Sequence, residues 1–203
     1  MLVLVGLVAG ACSAPSAARP TAPVGVSVAP APSSVPSVPP SPAASSAPAA
    51  AAHLSRSVPV RLQIPAIGVD STLMPLGLNA DGTMQVPPSG FPAGWYTGAP
   101  TPGELGPAII AGHVDWNGPG VFYELRRVVP GDTISVTRAD TRVVVFRVTR
   151  VAQYPKVAFP TSLVYGNVDY AGLRLITCGG SWDAQAHHYV DDTVVFAELV
   201  SPS

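Results

Sequence analysis

The sequence predicts an all-β domain, and three observations carry the prediction. From Val58 to Val200 the apolar residues come in short runs cut by Gly and Pro, at the spacing of a barrel or sandwich. The runs are rich in Val, Ile and Thr, which suit a pleated surface. No stretch sustains the 3.6-residue period of a long amphipathic helix.

In chain order, Val60-Arg61-Leu62-Gln63-Ile64 alternates and stops at Pro65, as a strand does. Ser71 to Leu78 is a weaker strand candidate. Pro87-Pro88-Ser89-Gly90-Phe91-Pro92 reads as a loop leading to Gly94-Trp95-Tyr96. Pro107-Ala108-Ile109-Ile110-Ala111 is continuously apolar, a buried strand ending at Gly112-His113. Val121 to Arg127 fits one or two helical turns, and Pro130-Gly131-Asp132 is a turn. Thr133 to Arg138 and Thr141 to Tyr154 are strands joined through Ala139-Asp140 as a tight hairpin. Phe159 to Tyr165 fits a short helix, and Leu173 to Cys178 and Thr193 to Leu199 complete the set. The total is about eight strands with little helix and no internal repeat.

The first 57 residues are a different material. Met1 to Ala11 is almost wholly apolar but shorter than the roughly 20 residues of a spanning helix. It reads as the hydrophobic region of a signal peptide or as part of a membrane anchor. Ala9-Gly10-Ala11-Cys12 resembles a lipoprotein signal-peptidase site with Cys12 as the lipidated residue. Residues 13–57 are dominated by Ala, Pro, Ser and Val and hold no aromatic residue, so they cannot bury enough apolar area to offset ordering. This segment is expected to be a disordered linker, either a passive tail or a stalk. In the polyproline-like form it would reach on the order of 100 Å. The organisation expected is therefore residues 1–12 as signal peptide or anchor, 13–57 as linker and 58–203 as the folded domain.

Charge narrows the function. Charged residues are 11% of the chain and the net charge is −1, which argues against nucleic acid, whose recognition needs a clustered basic face. No acidic cluster of the kind calcium needs is visible, no spacing supports a metal site built from His113, Asp115, Cys178 and His187, and no cofactor is implied. Two cysteines are present, Cys12 and Cys178. With Cys12 inside a targeting segment, Cys178 is left as an unpaired thiol in an oxidising compartment, which marks it as reactive.

Leu173-Arg174-Leu175-Ile176-Thr177-Cys178-Gly179-Gly180 is the centre of the sequence. An apolar strand ends in a thiol, and the two glycines are expected to break the strand there and open the site. A second strand ends at His113. A thiol near its ordinary pKa of about 8.5 is mostly protonated at neutral pH, so a nucleophilic cysteine needs a partner that exchanges a proton with it. The carbonyl under attack also needs a donor for its developing oxyanion.

Ala111-Gly112-His113-Val114-Asp115 and Leu175-Ile176-Thr177-Cys178-Gly179-Gly180 resemble the two signature motifs of the sortases, and Pro130-Gly131-Asp132 and Val121-Phe122-Tyr123-Glu124-Leu125 fit the same family. The likeness runs from about Val58 to the C-terminus and is nearest to class F or class E. It implies an eight-stranded sortase β-barrel and a cysteine transpeptidase. Such an enzyme cleaves an LPXTG-like sorting signal between Thr and Gly and holds the product as a thioester. It then passes that product to an amine of the peptidoglycan precursor or of a pilin. By matching motifs, Cys178 is the nucleophile and His113 the general acid and base. The apolar N-terminal segment and the stalk reading of the linker point to a protein outside the cytoplasm, held at the membrane by its N-terminus and facing the cell wall.

The sequence departs from the family at one point. Sortases carry an arginine on the strand after the cysteine, and nothing after Cys178 is an arginine; Val190 stands about where one is expected. Arg174 shares a strand face with Cys178 but lies about 13 Å back along it. His187 and His188 could donate to an oxyanion, or could be solvated loop residues. Asp115 either orients His113 or is an ordinary turn residue. Trp95, Trp116 and Trp182 fill the core or line a groove. Two other functions fit parts of the pattern: a different secreted thiol hydrolase, and a non-catalytic sortase-like module that binds a peptide.

Overall fold

Strand alternation and turn chemistry decide the architecture of the folded domain. A computed structural model describes residues 53–202. The expected signal or anchor segment with Cys12, and the linker up to residue 52, lie outside the described residues.

The strands are β1 (Pro59–Ile64), β2 (Val69–Leu76), β3 (Ala93–Tyr96), β4 (Gly106–Ala111), β5 (Thr133–Arg138), β6 (Val143–Pro155), β7 (Ala171–Asp183) and β8 (His188–Pro202). They close into a barrel in the order β1-β2-β3-β4-β7-β8-β6-β5. Closure leaves no unpaired sheet edge. The β2–β3 and β4–β7 pairs are parallel and the others antiparallel. One short helix, α1 (Thr161–Tyr165), and three 3-10 turns complete the elements among the described residues.

The barrel core is filled by alternate residues, among them Leu62 and Ile64 of β1, Ile134 and Val136 of β5, and Leu173 and Leu175 of β7. Phe122 and Leu125, from the segment after β4, close one end. A second apolar cluster lies on the outside of β4, β7 and β8, where Ile109, Ile176, Val194 and Phe196 meet Val164 of α1. β4 and β7 are therefore covered on both faces. This explains why their sequences are continuous apolar runs and not alternating ones.

Two expectations change. Gly179-Gly180 does not break its strand: β7 runs on to Asp183, and the glycines form a bulge in the pairing with β8. Gly180 takes a φ of +74°, which absorbs the extra residue. The hairpin after β5 closes through three residues, Ala139-Asp140-Thr141, with Thr141 in the left-handed region at φ 69°. The strand that did not stand out in the sequence is β3, four residues after a Pro-rich loop, too short to show a pattern.

Residues 54–57, which composition places in the linker, dock on the barrel, Arg56 donating to the Thr97 carbonyl at 3.1 Å. Leu54 packs against the core and donates its amide to Gly103 at 2.7 Å. Ser57 donates its amide to the Thr101 hydroxyl at 3.1 Å. Arg138, at the end of β5, is 1% exposed and gathers this region. Its guanidinium donates to the Pro102 and Ser55 carbonyls, each at 2.6 Å, and to the Asp140 carboxylate at 3.0 Å.

Candidate active site

The parallel pairing of β4 with β7 brings the two motifs together. Ala111 is level with Ile176, and the Gly112 amide donates to the Ile176 carbonyl at 3.1 Å. The same register carried two residues on sets His113 level with Cys178, on neighbouring segments. Odd residues of β7, Leu173 and Leu175, point into the barrel, and Ile176 points outward. Cys178 shares the outward face, half-buried with a free thiol.

His113 and Cys178 line one cavity of about 290 Å3, whose walls include Met84, Val86, Phe159 and Ile176. A smaller cavity of about 170 Å3 lies on the other side of the sulfur, toward Arg126, Gln153 and Tyr189. Cys178 and Thr177 line both. The Thr177 hydroxyl is buried and finds no hydrogen-bond partner among the described residues. A polar atom arriving in the groove would satisfy it.

The imidazole is held from outside the motif. His113 Nε2 lies 2.7 Å from the Pro87 carbonyl. A carbonyl only accepts, so Nε2 carries the proton and Nδ1 is left to gain and lose one. The Trp116 ring packs beside it, with centroids 4.9 Å apart. Asp115 does not orient His113. Its carboxylate accepts the Tyr189 hydroxyl at 2.5 Å, which holds that hydroxyl above the ordinary tyrosine range. The bond ties the segment after His113 to β8, the strand that pairs with Cys178.

The other residues weighed from sequence fall apart. Arg174 is buried away from the sulfur, under Phe196 with its guanidinium 4.7 Å from the ring, and donates to the Tyr170 hydroxyl. His187 and His188 are exposed on the β7–β8 hairpin, and neither lines the two cavities at Cys178. Trp95 fills the core, Trp116 is half-exposed beside His113, and Trp182 is half-exposed against Tyr189.

Two residues not singled out in the sequence stand at the sulfur. Lys156, immediately after β6, places Nζ 3.4 Å from Cys178 Sγ. Asp192 is directly opposite Cys178 on β8 and lies 3.9 Å from the same Nζ. Burial raises the Asp192 carboxyl above the ordinary aspartate range, Asp191 adds to this and Lys156 opposes it. A raised carboxyl binds its proton more tightly folded than unfolded. Its contribution to stability is therefore full below the unfolded value of about 4 and is lost as the pH rises through the folded value. Asp192→Asn is expected to melt above the parent at pH 7, with the gap closing toward pH 4. Thermal melts across that range check this, and equal melting at pH 7 would contradict it.

An eight-stranded closed barrel with a thiol and an imidazole in one open groove defines the class of site. A family model for the sortase domain matches residues 62–200. The chain belongs to the sortase family. Among solved structures it is similar to a sortase D5 transpeptidase of Clostridium perfringens, at 21% identity and a TM-score of 0.52 over 71% of this chain and 79% of that one. It is similar to sortase A of Listeria monocytogenes, at 19% and 0.55 over 73% of this chain and 90% of that one. A pilus-related sortase C of Group B Streptococcus matches at 14% and 0.53, over 74% of this chain and 70% of that one. At these identities the likeness carries the fold. No curated protein sequence matches significantly.

Proposed function

We propose that this chain is a cysteine transpeptidase that cleaves an LPXTG-like sorting signal through a thioester on Cys178 and transfers the protein to an amine. The observation that carries the reading is the shared groove: the sulfur and the His113 imidazole line one cavity with apolar walls. Those walls suit the leucine and proline of such a signal. The Cys178 thiol gives its proton to His113 Nδ1, and Sγ adds to the threonine carbonyl, forming the C–S bond as the carbonyl π pair moves to oxygen. The His113 Nδ1 proton goes to the leaving amine as the C–N bond breaks. The imidazole then takes a proton from the incoming amine, which attacks the thioester and expels the sulfur.

The acceptor in this reading is a peptidoglycan-precursor or pilin amine. The motifs favour class F or class E. The apolar N-terminus and the Pro-rich segment support a protein anchored outside the cytoplasm and held toward the wall. Among the described residues no helix is long and apolar enough to cross a membrane.

Mass spectrometry of the chain with a library of sorting-signal pentapeptides tests the reading. The expected product is a peptide thioester on Cys178, lost in His113→Ala. Peptides bound intact, with no adduct and no turnover by the parent chain, would replace the enzyme with a peptide-binding module.

A further inference from the structure

Of the eleven basic residues in the whole sequence, ten are arginine and one is lysine, and that lysine is the one at the thiol. Lys156 opens a 3-10 turn at the end of β6, and the strand register brings it there. Tyr154 of β6 is level with Asp192 of β8, which is level with Cys178 of β7. The ammonium thus emerges beside this three-strand row, 30% exposed at its side chain, with the sulfur at 3.4 Å and Asp192 at 3.9 Å.

No other cation among the described residues is so placed. Arg126, in the smaller cavity, lies with its guanidinium 5.8 Å from the centre of the Tyr123 ring. Arg174 and Arg150 are stacked on Phe196, on the outer face behind the groove. The remaining titratable groups facing the groove are His113, Tyr165 and Asp192 on one side and Tyr123 and Tyr189 on the other. None of these is a lysine or an arginine.

We infer that Lys156 is a catalytic residue of the transpeptidation proposed above, its ammonium stabilising first the anionic sulfur of Cys178 and then the oxyanion formed when that sulfur adds to the substrate carbonyl. The inference rests on the transpeptidase reading. In the addition step the C–S bond forms and the carbonyl π pair moves to oxygen. That oxygen is two bonds from Sγ, so a flexible ammonium already at the sulfur reaches it by a small rotation of its stem. Three N–H donors serve three needs in turn: the sulfur, the oxyanion and Asp192. When the oxyanion collapses, the C–N bond breaks and its electron pair leaves with the amine, which takes its proton from His113. The lysine keeps its own proton throughout. The cation comes from the end of β6 and not from β8, where the family pattern places its arginine.

Lys156→Met and Lys156→Arg in the full chain test this, with thermal melts as the control for folding. In Lys156→Met the single-turnover rate of thioester formation at saturating peptide is expected to fall about 100-fold, the effect of losing one oxyanion donor, with KM little changed. Alkylation of Cys178 by iodoacetamide at pH 7, without peptide, is expected to slow several-fold. Lys156→Arg is expected to recover most of both rates. Thioester formation and alkylation at parental rates in a folded Lys156→Met would overturn the inference and leave the transpeptidase reading intact. Absence of a thioester in the parent chain would remove that reading and this inference with it. Recovery of the acyl group on the Lys156 amine would overturn the inference by making that residue an acceptor and not a fixed cation.

Discussion

Cys178→Ala is expected to abolish thioester formation and transfer, a fall on the order of 10^4-fold or more, while leaving the barrel folded. The thiol is half-buried at the end of the outer apolar cluster, and alanine removes one sulfur from a site already open to solvent. Stability should change by about 1 kcal/mol or less, since no large cavity is created. A peptide of the sorting-signal type should still bind in the groove, because its apolar walls are untouched. Adduct mass spectrometry and a binding titration on the same preparation separate the two effects. Residual turnover within tenfold of the parent would move the nucleophile elsewhere.

Arg138→Ala is expected to be the most destabilising single substitution outside the apolar core, at about 3–5 kcal/mol. The guanidinium is enclosed and joins three segments: Ser55 before β1, Pro102 before β4 and Asp140 in the hairpin after β5. Truncation leaves two carbonyls without their donor and a carboxylate without its cation. For a domain of this size the loss corresponds to a drop on the order of 10 °C in Tm. Lysine should recover little of it, because a point charge cannot hold three divergent acceptors as a planar fork does. A Tm within 2 °C of the parent would show that residues 54–57 are not held to the barrel through this side chain.

The two residues proposed for catalysis, which the structure places in one cavity, stood out in the sequence because each ends an apolar, β-branched run with a chemically distinct side chain. The run Pro107 to Ala111 could be read as a buried strand, and it is covered on both faces. Lys156 was not legible. It follows Tyr154-Pro155 in a segment with no chemical pattern of its own, and its role depends on which strand lies beside β7. The one signal available was compositional: a single lysine among ten arginines. Arg138 was hidden for the opposite reason, since an arginine at a strand end reads as solvated and this one is enclosed by two distant loops. Gly179-Gly180 misled because a diglycine either ends a strand or bulges it, and the choice belongs to the partner strand.

By itself, then, the sequence determined the class of fold, most of the strands and the two side chains proposed for catalysis, because period, turn residues and residue chemistry are local properties. Tertiary structure decided what those side chains face. The parallel register of β4 on β7 levels His113 with Cys178, and Pro87 fixes the tautomer of the imidazole. The β6–β8–β7 row brings Lys156 to the sulfur. Register between strands distant in sequence is set by the packing of both faces at once, and no single segment contains that information.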